Sequence, residues 1–310
     1  MKNRTRTMKK RIHLITLLLA FLFTNLAYGL DMTRDQMIHL TRDWQGERYK
    51  DGRPKVPQDI LDRMKSVSLE EAWGVLRGAG YTHQFEGKWS IIHPDQPVVG
   101  RALTAFYLPG RPDLDKHISD TGKAQGRIGG SNSWPIDMLM TGDVYVADGF
   151  GKITDGTLIG DNLGNAIFAK SGNGVVFNGS VRDLEGLEEI KGFNAFVKGW
   201  DPSAIKDMTL GGVNTPIRLG NVTVLPGDVV LAKREGVIFI PPHLAEKVVV
   251  TSEVVRLKDQ FGHMRLKEGR YTPGEIDRKW SEQIKKDFLQ WLDDQTGISA
   301  ATKAQVQKGI

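Results

Sequence analysis

Cysteine is absent from all 310 residues. That removes disulfides, thiol nucleophiles and thiolate metal sites together, so a metal ion here has to rest on oxygen or imidazole. Long apolar runs are almost missing too. The one present, 12–23, is about half the ~20 residues a spanning helix needs. Six Lys or Arg precede it and the small residues Ala27 and Gly29 close it, the order of a secretory leader. Residues 1–29 are therefore expected to be a cleaved signal peptide. The mature chain is expected to be exported, periplasmic or secreted, with no stable membrane span after leader removal. A strong charge of one sign is lacking as well. The 42 Lys and Arg exceed the 37 Asp and Glu, but the leader's six basic residues carry that surplus, and the remainder is close to neutral. No positive field for nucleic acid is left, and no nucleic-acid partner is expected.

Several catalytic signatures are also missing. None of the seven histidines sits in a His-x-x-x-His or Glu-flanked zinc pattern. His117 reads as a surface or core residue before it reads as a ligand. "DGFGKIT" lacks the first glycine and the final hydroxyl of a phosphate loop, and Gly179-Ser180 lacks the nucleophile elbow's flanking glycines. "GRIGGSNSWP" (126–135) reads as a loop over a site or as a structural turn.

What is present is an alternation of strands and helices. Residues 30–95 read as a polar, Trp-bearing helical extension, with a capping box at Ser68 and Glu71 followed by Ala72, Val75 and Leu76. "GKWSIIHPDQPVVGRALTAFYLPG" is strand material broken by Pro94 and Pro97. "GDVYVAD" reads as strand, "DNLGNAIFAK" as helix, "GVVFNG" as strand, and "NAFVKGW" as strand after a short helical run. "NVTVLPGDVVLAKREGVIFIPP" gives two or three strands turning at Pro226-Gly227-Asp228, and "HLAEKVVVTSEVVRL" an amphipathic helix. The core, 96–258, is thus expected to be α/β. In the tail, 259–310, Thr272 and Glu275 open one more helix whose face carries Ile276, Trp280, Ile284, Phe288 and Trp291.

The stretch "IGDNLGNAIFAKSGNGVVFNGSVRD" (159–183) has an acid at one end and an Arg-Asp pair at the other. A helix over about 162–170 travels roughly 13 Å. A strand over about 174–178 returns roughly 16 Å. With parallel strands, Asp161 and Arg182-Asp183 should meet at the carboxyl edge of the sheet, where open α/β sheets bind ligands. Two carboxylates with open water positions suit Mg²⁺ or Mn²⁺. Arg182 offers a fork for a carboxylate, and the amides of Asn162 and Leu163 open a helix toward an anion. Taken singly, either aspartate reads as a helix cap and Arg182-Asp183 as a solvated pair.

Gly160-Asp161, the gap and Arg182-Asp183 resemble the motif of the class II pyruvate aldolases acting on 4-hydroxy-4-methyl-2-oxoglutarate. The regulators of ribonuclease activity (A-like) are relatives in that family. "VVGRALTA", "GDVYVADG", "GVVFNGSVRD" and "LPGDVVLAKREGVIFIPPHLAEKV" resemble family segments in the family's order, over roughly 66–257. The resemblance implies a compact α/β/β layered, swivelling-domain-like core with helical N- and C-terminal extensions. It implies a homo-oligomer, a trimer or dimer of trimers, with sites between subunits. It implies Asp183 as direct ligand of a divalent metal (Mg²⁺ or Mn²⁺) and Asp161 as holder of metal-bound water. Arg182 would bind the pyruvyl part of a small oxo-acid substrate beside Gly160 and the amides of Asn162 and Leu163. The activity implied is retro-aldol cleavage, with decarboxylation of oxaloacetate through the same enolate. The chain departs from the family pattern at Gly186, where the aldolases carry an acid, and at Lys233 and Arg234, where relatives carry acids. A non-catalytic extracytoplasmic binding or regulatory protein on the same scaffold is the alternative.

Overall fold

Three helices come first among the described residues: α1 (Arg34–Leu40), α2 (Gln58–Met64) and α3 (Leu69–Gly78). This is a computed structural model, and it describes residues 30–298 and 300–308; the leader expected over 1–29 lies outside them. Helix α3 starts where its capping box predicts. Ser68 Oγ accepts from the Glu71 amide at 3.1 Å, and the Glu71 carboxylate accepts from the Ser68 amide at 2.8 Å. Two otherwise orphaned amides are thereby satisfied, and Leu69, Ala72 and Leu76 turn inward. Thr33 and Gln36 make the same box for α1.

Two short strands, β1 (Phe85–Glu86) and β2 (Ser90–Ile91), precede the long β3 (Val98–Pro109). Pro94 and Pro97 fall in the gap, where no ladder needs their missing amides. The chain continues through α4 (Pro112–Ala124), α5 (Trp134–Asp137), β4 (Asp143–Asp148), α6 (Asp161–Ser171), β5 (Val175–Val181), α7 (Leu184–Glu188) and β6 (Ala195–Trp200). Each strand from β3 to β6 lies parallel to the next, as helical crossovers require. After β7 (Met208–Val213), β8 (Ile217–Leu219) pairs only with β9 (Val222–Val224), and β10 (Val229–Lys233) turns back into β11 (Gly236–Ile240). The large sheet runs β1-β11-β10-β3-β4-β5-β6-β2, with β7 also paired to β3.

Alternation along the strands makes the layers. Val99, Val229, Leu231, Ile238 and Ile240 face α2, α3 and the start of α8 (Ala245–Lys267). Their neighbours Val98, Val230, Ala232, Val237 and Phe239 point to the other face, against Ile217, Leu219, Val222 and Val224 of the β8–β9 hairpin. Helices, large sheet and small sheet form the α/β/β stack, as the period of two in a strand demands.

A cluster of charged groups is sealed inside. Arg53, fully buried, donates from Nε to Asp51 at 2.8 Å and from Nη1 to Asp143 at 3.1 Å. Arg101 beside it donates to the Val56 and Thr141 carbonyls at 2.8 and 2.6 Å. Burial pushes the Asp143 carboxyl above its usual range, outweighing the pull of Arg53.

The tail differs from the single helix expected over 272–291. It is α9 (Pro273–Ile276), a break, α10 (Glu282–Asp294) and α11 (Ala300–Lys308). Ser281 supplies a second cap, accepting from the Ile284 amide at 3.4 Å, while Trp280 Nε1 donates back to the Ile276 carbonyl at 2.9 Å. The aromatic stripe is core: Trp280, Phe288 and Trp291 stand 5.5, 5.3 and 5.8 Å from Phe261 of α8, centroid to centroid. Asp287 fastens the tail, taking Arg265 in a two-pronged contact at 2.8 and 2.9 Å and the Tyr271 hydroxyl at 3.1 Å. No helix among the described residues is long and apolar enough to cross a membrane.

Candidate functional site

The β4–α6–β5 crossover closes the ends of the 159–183 stretch on each other. Strands β4 and β5 run parallel, with Tyr145 opposite Val175 and Asp148 opposite Asn178. Past β4 the chain loops out and returns along the end of β5. Thr157 bridges Ser180, the Leu158 amide donates to Ser180 at 3.0 Å, and the Arg182 amide donates to Ile159 at 3.0 Å. Gly160 is thereby pinned beside Arg182 and Asp183. A Cβ on it would lie 2.1 Å from Asp183 Oδ2 and 3.1 Å from Arg182 Nε. The reverse contact is as close: a Cβ on Gly186 would lie 2.8 Å from the Asp161 Cβ. Each aspartate thus rests on a glycine of the other's segment. Arg182 Nε stands 3.4 Å from Asp183 Oδ2, and both side chains are 44% exposed.

The capping alternatives now separate. Asp183 occupies the position before α7 in a left-handed conformation, φ 56° and ψ 47°, and its carboxylate caps nothing. Such backbone is uncommon outside glycine and gathers at functional sites. Helix α6 begins at Asp161, with Gly160 as its cap residue and no side-chain cap. Asp161 Oδ1 accepts from the Asn162 amide at 2.7 Å. The expectation of two open amides is therefore corrected: Asn162's is engaged by its neighbour's carboxylate. The amide of Leu163 precedes the first helical bond, from Gly164 to Gly160 at 2.9 Å, and remains as the helix's open donor.

Among the described residues no three His, Asp or Glu side chains gather around one point. Asp161 and Asp183 offer oxygen donors only, on backbone segments that touch, and the Asp183 side chain is 44% exposed. Asp183 Oδ2 occupies space that is open only because Gly160 has no side chain. That donor set fits Mg²⁺ or Mn²⁺, which keep several waters and need only one or two carboxylates. It does not fit a closed zinc cage. The chemistry on offer is a hard-cation position flanked by a guanidinium and a helix amide, suited to a small oxo-acid.

Other sequence candidates fall elsewhere. Lys233 and Arg234 turn the β10–β11 hairpin. Since Ala232 pairs antiparallel with Val98, that hairpin lies where the parallel strands begin, at the edge opposite Asp183. Burial lowers the Lys233 ammonium from its usual range, and Arg234 stands 3.8 Å from Asp95. His117 is exposed on α4. The glycine-rich 126–135 segment turns out to be a brace. Asn132 Nδ2 donates to the Leu158 carbonyl at 3.0 Å, Ser133 Oγ donates to Gly130 at 2.7 Å, and Trp134 is buried beneath. Asn132 thus helps to fix the loop that carries Gly160. No spacing rule in the sequence signalled it.

A family model described as RraA-like, aldolase/RraA, matches residues 59–239. A 4-hydroxy-4-methyl-2-oxoglutarate aldolase of Thermus thermophilus is 36% identical over 100 residues, covering 32% of this chain and 60% of that protein. A putative aldolase of the same name from Halalkalibacterium halodurans is 29% identical over 119 residues, covering 38% and 56%. The chain spans about half the length of the curated relatives it matches. Among solved structures, an uncharacterised protein from Pseudomonas syringae pv. tomato superimposes with a TM-score of 0.60 at 20% identity, over 76% of this chain and 98% of that one. Streptomyces coelicolor RraAS2, described as an unusual member of the RNase ES inhibitor RraA protein family, gives 0.58 at 22% identity, over 68% and 100%. At such identities the likeness is one of fold.

Proposed function

Because this chain belongs to the RraA-like aldolase family, we propose that it is a divalent-metal-dependent lyase that cleaves or decarboxylates a small 2-oxo acid through a pyruvate enolate. The observation that carries this is Asp183, held in left-handed backbone with its carboxylate on Gly160 and beside Arg182. A carboxylate that caps no helix and fills a hollow kept open by glycine is placed for a ligand. Asp183 would hold Mg²⁺ or Mn²⁺ directly, and Asp161 would hold it through water. When bound, the ion supplies Lewis-acid polarisation of the substrate's oxo group. Arg182 would grip the substrate carboxylate and offset the negative charge that grows on the oxo oxygen. The Leu163 amide would donate to the same anion, and the Asn162 amide would join it if Asp161 turns away. Phe150 and Trp200 are 38% and 36% exposed at the ends of β4 and β6, the edge that carries Arg182. An open site with apolar neighbours supports assembly into a trimer or dimer of trimers with the site at the seam. Export to the periplasm or beyond belongs to the same proposal and rests on the leader.

Purified mature protein is expected to release pyruvate from 4-hydroxy-4-methyl-2-oxoglutarate or oxaloacetate with Mg²⁺ or Mn²⁺ and to stop with EDTA. Replacing Asp183 by Ala is expected to lower turnover by about a hundredfold or more. Unchanged turnover in that variant ends the lyase reading. The second reading, a non-catalytic binding or regulatory protein, draws on Gly186 in place of the family's acid and on the missing third ligand. It predicts no divalent binding by calorimetry in the wild-type protein.

A further inference from the structure

Where the N-terminal extension meets the β9–β10 turn, the structure forms a cavity of about 220 Å³, open on one side. Three aromatic rings, Trp44, Tyr81 and His243, and two carboxyl groups, Asp43 and Asp228, line it, and no Lys or Arg does. Tyr81 and His243 hold each other, hydroxyl to Nε2 at 3.3 Å with ring centroids 6.1 Å apart. Trp44 is fixed by its Nε1 donating to the Glu47 carbonyl at 2.7 Å. Asp228 is only 3% exposed. Its Oδ2 accepts from the Leu225 amide at 2.8 Å, and no hydrogen bond among the described residues reaches Oδ1.

We propose that this cavity binds a small organic ammonium ion, held against the faces of Trp44 and Tyr81 with Asp43 and Asp228 as counter-charges. Chemistry removes the rivals. An anion would meet two carboxyl groups and no cationic side chain. A neutral apolar molecule would leave the buried carboxyl unmatched, which is costly. A hard metal ion needs several oxygens converging on one point, and among the described residues no three His, Asp or Glu side chains converge here. An alkylammonium is attracted by ring faces and by carboxylate together, and the volume lies below that of drug-sized pockets. The turn itself does not call for this acid, because Asn would cap the Leu225 amide equally well. Without a cation, burial pushes Asp228 up to about 8. The titratable groups lining the cavity with it are Asp43, Tyr81 and His243, so an arriving cation would draw its proton off. Residues 43, 44 and 243 lie outside the 59–239 matched by the family model. Tyr81 and Asp228 lie within it, so the site forms where the N-terminal extension meets the core. None of its lining residues belongs to the Asp161/Arg182/Asp183 site, so its test leaves the Asp183 reading untouched.

Titration calorimetry of the full mature chain with choline and with tetramethylammonium is expected to show saturable binding of one ion per chain. The uncharged choline isostere 3,3-dimethyl-1-butanol is expected to bind at least about tenfold more weakly. Heats measured in buffers of different ionisation enthalpy should report proton release at pH 7. Asp228→Asn and Trp44→Leu should each weaken choline by about tenfold, and the surface variant Asp43→Asn should weaken it without touching the core. Absence of saturable choline binding overturns the proposal. So does equal affinity for the isostere, or affinity unchanged in both Asp228→Asn and Asp43→Asn.

Discussion

Gly160 shows how one missing side chain can arrange a site. Its backbone, φ −120° and ψ −165°, is open to any residue, so a substitution there strains nothing locally. What Gly160→Ala does is press a methyl group into Asp183 Oδ2. The expected result is at least about tenfold weaker Mn²⁺ binding with a melting temperature close to wild type. Unchanged Mn²⁺ affinity would show that Asp183 is not the ligand. Asp228 makes a different prediction, in which pH decides. The native state keeps its proton up to about 8, whereas the free carboxyl loses it near 3.8. Between those values the folded protein binds more protons than the unfolded chain, so Asp228's contribution to stability declines as pH rises from about 4 to about 8. Asp228→Asn keeps the acceptor for Leu225 and should raise the melting temperature more at pH 8 than at pH 5. An equal shift at both pH values would contradict the burial argument.

At the scale of elements, the tail depends on one acid. Asp287 receives Arg265 and Tyr271 and lies 3.4 Å from Arg270. Asp287→Ala should cost about 2–3 kcal/mol by removing the two-pronged partner of a part-buried guanidinium that keeps only Glu268, at 2.9 Å. Urea melts would measure that loss, and tryptophan emission should shift to the red as Trp280 and Trp291 lose cover. The same tail shows where sequence reading succeeds and fails. The Thr272 box and the aromatic stripe are local, and both appear in the structure. The break before Ser281 is not local: Ile276 and Trp280 reach Phe261 without a continuous helix, so a period of 3.6 matched the burial but not the backbone. The 159–183 crossover was legible because a parallel strand-helix-strand unit has only one way to return. Engagement of the Asn162 amide was not, since it depends on a rotamer of Asp161. The Asn132 brace was also hidden, because a side-chain bond to a carbonyl 26 residues away leaves no pattern in composition or spacing.

For the whole molecule, the N-terminal extension is structural, because Arg53 enters the core to meet Asp143. Arg53→Ala would leave that carboxyl, which has no exposure, with only Arg101 at 3.8 Å as a cation and should cost about 3 kcal/mol. The double variant Arg53→Met with Asp143→Leu should recover most of the loss, since matched apolar residues can replace a buried pair. Equilibrium denaturation of the three proteins forms the test, and additive losses would refute the coupling. The helical layer carries a further consequence in time. Residues 56–76 share their core with 229–249, so a polypeptide emerging amino end first makes its earliest hydrophobic helices long before their mates exist. Until most of the chain has appeared, those helices stay unclosed. Such late locking would keep the chain threadable until its last core strands arrive, which is what the export proposed above would require.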